Sequence, residues 1–208
     1  MTAPSTEESP WNVMGVFAPI FDGGHYLTFL NLNPPFNAAV EALRTIVESG
    51  APTLEADVVA VLDPALAGWR PQLVGAAAML LGATTPTTLA ALWRALEQPS
   101  WVSPQLAVTA FLRAPDFEAR ARARIEVLCQ VDASAIRARR DREVPDSNDD
   151  KQLAALIALL KERGPPDWLA PLEASQSVRD ILAASHDDGA RHALRWLGRV
   201  RSFMNGPA

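Results

Sequence analysis

Apolar residues recur along most of this chain at spacings of three and four, the mark of helices that bury one face. Residues 36–49 place Phe36, Val40, Leu43 and Val47 on one stripe, and Gly50 is positioned to end that helix. Thr53 is the expected N-cap of a second helix, with Val58, Val59 and Leu62 apolar. Asp63 and Pro64 open a stretch reaching Gly82 that is rich in alanine and glycine, small residues that let neighbouring helices approach closely. Thr85 and Pro86 cap the next helix, whose Leu89, Leu92, Trp93 and Leu96 share a stripe. Residues 101–114 form another helix, and Pro115 and Asp116 start one that turns Phe117, Ala121, Ile125 and Leu128 inward and its arginines outward. Further helices are expected over 151–160, ended by Pro165 and Pro166, over 177–185, and over 188–204. The last turns Ala190, Leu194, Leu197, Val200 and Met204 inward and caps the stack.

The helices carry a repeat. Pro71-Gln72-Leu73 recurs as Pro104-Gln105-Leu106, a period of 33, with Trp69 and Trp101 ahead of the two copies. Lys151-Gln152-Leu153 repeats the second copy after 47 residues, one period plus an insertion of about 14. Each unit is an apolar helix followed by a polar-capped one, as in stacked helical hairpins. The recurring tryptophans are read as wedges between hairpins. Two segments lie outside this pattern. Residues 132–150, with Arg137, Arg139, Arg140 and Arg142 followed by an acidic run, read as a charged loop insertion. Near the start, the aromatic runs 13–17 and 25–32 flank Asp22-Gly23-Gly24, for which a β-hairpin is the first reading and a short helix over 25–32 the alternative. Residues 1–10 read as a disordered lead and 11–208 as a single helical-repeat domain.

Asp63-Pro64, Trp69-Arg70 and the alanine-rich run ending in Leu81-Gly82 resemble the first helix of a HEAT-type repeat, closely over residues 63–82 and more loosely over 36–128. HEAT units usually run about 40 residues or more, and the second copy lacks the Asp-Pro and the arginine. Tetratricopeptide and ankyrin repeats match the period better, yet their signature residues do not occur. The resemblance implies an all-α fold, a short HEAT-like α-solenoid whose surface binds another protein. In size, acidity and its Trp-Arg and Leu-Val-Gly-Ala segments, the chain also resembles some bacterial immunity proteins, which neutralise a toxin by binding it.

At 208 residues and 49% apolar content the chain can bury a core without disulfides or metal, and its single cysteine, Cys129, fits a reducing, cytoplasmic setting. The polar, acidic first ten residues do not read as an export signal, and the least charged stretch, 75–91, is interrupted by Gly82 and Pro86 and so does not read as a membrane span. Charge is uneven: residues 1–68 hold eight acids and one base, 69–145 ten bases and seven acids, and 146–208 nine acids and eight bases. An acidic first third would attract a basic toxin or enzyme, with Glu41, Glu48, Glu55 and Asp57 as the charges that meet it. Trp11 and Trp168, in loop-like settings, are the candidates for direct partner contact.

Catalytic chemistry finds little support. His186 and His192 are six residues apart, about 600° of helical rotation, so they do not converge on one metal, and Asp187 or Asp188 reads as a helix start. There is no Gly-x-Ser-x-Gly elbow and no phosphate-binding glycine loop; Cys129 beside Leu128 reads as a structural thiol, and no cofactor is expected. Arg113, Arg120, Arg122 and Arg124, continued by Arg137, Arg139, Arg140 and Arg142, offer a stripe for nucleic-acid phosphates. Interleaved Glu118, Glu126, Asp141 and Glu143 and a pI near 5.2 argue against it, Glu118 being spaced to pair with Arg122. Arg191, Arg195 and Arg199 read as a solvated face. The reading is a non-enzymatic protein-binding module, in its sharper form an immunity-type inhibitor; the alternatives are a regulatory scaffold and an enzyme whose residues are too dispersed to recognise.

Overall fold

A computed structural model describes residues 12–32, 36–98, 100–130, 148–184 and 188–204. The first stretch corrects the β-hairpin: a 3₁₀ segment, Asn12–Phe17, leads into α1 (Ala18–Asp22) and α2 (Tyr26–Asn31), and no strand occurs among the described residues. The buried side chains explain why. Phe17, Ile20 and Phe21, then Phe29 and Leu32, fall at spacings of three and four, whereas a strand would bury alternate residues. Pro19 sits in the first turn of α1, where its fixed φ is already helical, and Gly24, at φ +67°, makes the turn between the two short helices.

The middle of the chain follows its sequence pattern closely. Helix α3 is Asn37–Glu48 and α4 is Leu54–Leu62, though Thr53 at the N-cap position makes no side-chain capping bond. Asp63 caps a single turn, α5 (Pro64–Ala67), by accepting from the Ala65 amide at 2.9 Å. Gly68, at φ +72°, then redirects the chain into α6 (Trp69–Leu81). Helix α7 (Pro86–Leu96) begins with a reciprocal capping box between Thr85 and Thr88. Next come α8 (Ser103–Arg113) and α9 (Phe117–Cys129), the latter burying Phe117, Ala121, Ile125 and Leu128. Helix α10 (Asn148–Arg163) starts inside the segment read as loop, so 148–150 belong to a helix; 131–147 lie outside the described residues. The chain continues through α11 (Leu169–Ala174), which the periodicity does not show, and α12 (Gln176–Ala184) to α13 (Asp188–Met204).

Helices α6, α8 and α10 pack side by side as a central layer. They run parallel: Trp69 at the start of α6 touches Trp101 just before α8, with ring centroids 5.9 Å apart, and Lys151 near the start of α10 lies over Trp101. At the opposite ends, Arg113 of α8 donates to the Leu80 carbonyl of α6, and Arg163 of α10 to the Phe111 carbonyl of α8 at 3.3 Å. Every residue from Pro71 to Leu80 is buried, as expected for a helix apolar on all sides. Its glycine permits this: a Cβ on Gly75 would lie 2.9 Å from Val61 and 3.0 Å from Leu62 of α4.

Helices α4, α7 and α9 pack on the layer, and α2, α3 and α13 cover what remains of it. Instead of capping the end of the stack, α13 lies across both α8 and α10 and reaches the N-terminal segment, where Trp196 Nε1 donates to the Phe29 carbonyl at 2.9 Å and Arg199 to that of Asn31. Its buried stripe is Ala193, Trp196, Leu197 and Val200; Leu194 and Met204, expected inward, are exposed. The rotation follows from Trp196, the largest apolar side chain on α13, which turns toward α2. One continuous apolar core results, from Met14 to Val200.

Candidate functional site

The repeat places one glutamine near the start of each central helix, and all three are buried: Gln72, Gln105 and Gln152. Two are satisfied within the protein. Gln72 Oε1 accepts from Ser100 Oγ at 2.5 Å. Gln152 Oε1 accepts from Arg124 Nε at 2.9 Å while its Nε2 donates to the Leu96 carbonyl at 2.7 Å. Gln105 differs: its Nε2 donates to the Leu30 carbonyl at 3.1 Å, but its Oε1, though buried, has no partner.

Along the same edge runs a chain of aromatic and cationic contacts. Phe21 stacks on Tyr26 with centroids 5.6 Å apart; the Arg70 guanidinium lies 5.8 Å from the Tyr26 ring and 4.8 Å from that of Trp69; Trp69 meets Trp101; and Lys151 Nζ lies 5.7 Å from the Trp101 ring. Trp101 remains 54% exposed. Beside it a cleft of about 170 Å³ opens between α2, α8, α10 and α13, lined by Leu30, Trp101, Gln105, Lys151, Gly189 and His192. A wider recess of about 320 Å³, with Asp63, Arg94 and Glu97 on its walls, lies between α4 and α7 but contains no buried group in want of a partner.

The four acids chosen from sequence are not equivalent. Asp57 Oδ2 accepts from the Val16 amide at 3.1 Å, and a side chain on Gly15, at φ +56°, would overlap that carboxylate, so Asp57 fastens the 3₁₀ segment to α4. Glu55 Oε1 accepts from Thr85 Oγ1 at 2.9 Å, and hydrogen bonds from Thr87 and Thr85 hold its carboxyl below the usual range. Glu41 and Glu48 stay exposed on α3, Glu41 loosely paired with Arg44 at 3.5 Å. Of the tryptophans, Trp168 is half-buried and held to α9, donating to Glu118 Oε1 at 3.3 Å beneath the Arg122 guanidinium; Trp11 lies outside the described residues. Arg122 therefore pairs not with Glu118 but with Glu126, at 2.9 Å.

The described part of the arginine stripe is engaged by the fold. Arg113 binds the Leu80 carbonyl, and burial depresses its pKa. Arg120 pairs with Asp116 at 2.6 Å. Arg124, nearly buried, binds Gln152 and lies 3.7 Å from Asp149; burial lowers its pKa more than Asp149 and Glu97 raise it. Arg137, Arg139, Arg140 and Arg142 lie outside the described residues. Arg199, expected on a solvated face, instead binds α2. Cys129 is half-buried, and burial, then Glu126, push its thiol up. Among the described residues no group of three or more His, Cys, Asp or Glu side chains converges to hold a metal, and no helix is long and apolar enough to cross a membrane. Comparisons with protein-family models, with curated proteins and with solved structures find no match to the chain.

Proposed function

We propose that this chain is a non-enzymatic protein-binding module built on HEAT-like stacked hairpins, and that the edge formed by the starts of α6, α8 and α10 is its contact surface. The observation that carries this reading is Trp101, more than half exposed at the centre of a Tyr26, Arg70, Trp69 and Lys151 cluster. Tryptophan, tyrosine and arginine are the residues that dominate binding energy at protein interfaces. Each of them touches a neighbour along this edge in the free chain, and side chains already in contact lose less freedom on association. In its sharper form the reading is an immunity-type inhibitor whose partner is a basic toxin. Glu41 and Glu48 on α3 then steer the encounter, and Glu55 and Asp57 serve the fold.

Affinity capture of the tagged chain from its own cells, with nuclease treatment and mass spectrometry, tests this. The expected result is one stoichiometric protein that survives nuclease; nuclease-sensitive material in its place would return weight to the arginines.

A further inference from the structure

We infer that the cleft beside Trp101 is a binding site for a small planar anion, a single-ring aromatic carboxylate that also carries a hydrogen-bond donor. The donor requirement comes from Gln105. A carbonyl oxygen only accepts, so the amide NH₂ must face Leu30, which turns Oε1 away from that carbonyl, and the Gln105 side chain lines the cleft. Gln105 is 4% exposed and its Oε1 has no partner, while the equivalent oxygens of Gln72 and Gln152 receive Ser100 Oγ and Arg124 Nε. The fold thus supplies a donor at this repeat position twice and leaves the third oxygen to an incoming N–H or O–H. Buried acceptors of this kind are rare because they are costly.

The ring and the charge come from the other walls. Trp101 offers an exposed indole, and the cleft's volume of about 170 Å³ is close to the roughly 150 Å³ that accommodates a benzene ring. Among the described residues Lys151 Nζ faces the Trp101 ring and no carboxylate, leaving the ammonium available to an anion. Gly189, in the first turn of the 17-residue α13, lines the same cleft and brings the positive end of that helix to it. This site goes beyond protein binding and does not rest on it, since every group belongs to the free chain.

Titrating the purified full chain with 4-hydroxybenzoate, benzoate and 4-hydroxybenzamide, and following the Trp101 indole resonance by NMR, tests the inference without any protein partner. The expected result is saturable binding of 4-hydroxybenzoate, with benzoate and the uncharged amide each about tenfold weaker or more. Lys151→Met should abolish the preference for the carboxylate, and Gln105→Leu the preference for the hydroxyl. The inference is overturned if no compound gives a saturable shift at about 10 mM, or if Lys151→Met leaves the three affinities unchanged.

Discussion

One repeat position carries three glutamines with different duties, and the difference is measurable. Replacing Gln152 with leucine strands the Leu96 carbonyl and the nearly buried Arg124 guanidinium, and should cost about 3 kcal/mol in urea unfolding. Gln105→Leu loses the bond to Leu30 but also removes an unpartnered buried oxygen, so its effect should stay within about 1 kcal/mol. Equal costs at the two positions would contradict these assignments. The Cys129 thiol is the other single-residue test. Burial and Glu126 raise its pKa, so at any pH below that value it holds less thiolate than a free cysteine. Labelling by a thiol reagent at about pH 8 should therefore lag behind a small free thiol and accelerate as pH rises; a rate matching the free thiol would show that Cys129 is not so shielded. The recurrence of Pro-Gln-Leu is visible in sequence, but which glutamine lacks a partner is not, because Ser100, Arg124, Leu96 and Leu30 are 28 to 75 residues from the glutamines they serve.

Two glycines on one helix separate close approach from mere flexibility. A methyl on Gly189 would overlap the backbone carbonyl of Lys151, which has little freedom to move, and Gly189→Ala should destabilise by about 2–3 kcal/mol as α13 shifts off α10. A methyl on Gly198 would meet nothing within 4 Å, so Gly198→Ala should stabilise by about 0.5–1 kcal/mol through helix propensity alone. Thermal or urea unfolding of both variants checks the pair, and a stable Gly189→Ala protein would mean that α13 does not press on α10. The long periodic helices are legible in sequence because stripe, cap and stop signals agree, as at Thr85, Pro86 and Leu92. The short N-terminal helices are not, since aromatic, β-favouring residues flank a glycine turn there and packing, of α2 against α6 and of α1 against the 3₁₀ segment and α3, selects the helix. Helix α11 is hidden because Pro165, Pro166 and Pro171 crowd its six residues. Periodicity alone misplaces the stripe of α13 by counting Leu194 inward, when Trp196 turns the helix toward α2.

On the scale of the whole molecule, the two ends of the chain meet. Trp196 and Arg199 of α13 bond to carbonyls of α2, so the central layer is closed over by first and last elements instead of lying open along its length. This closure positions Leu30 and Gly189 at the Trp101 edge and joins all four walls of the cleft. Long-range contacts also engage two of the acidic candidates. Asp57 and Glu55 bond to Val16 and Thr85, 41 and 30 residues away, partners that no local pattern announces; Glu55 nonetheless stays exposed, like Glu41 and Glu48, and Asp57 alone of the four is partly buried. The decisive measurement is the affinity of the captured protein partner for Trp101→Ala, Arg70→Ala double variants beside wild type. The expected result is a loss of about 30-fold or more, the scale of a hot spot worth about 2 kcal/mol. An unchanged affinity in a folded double variant would contradict the Trp101 edge as the contact surface and place that surface elsewhere.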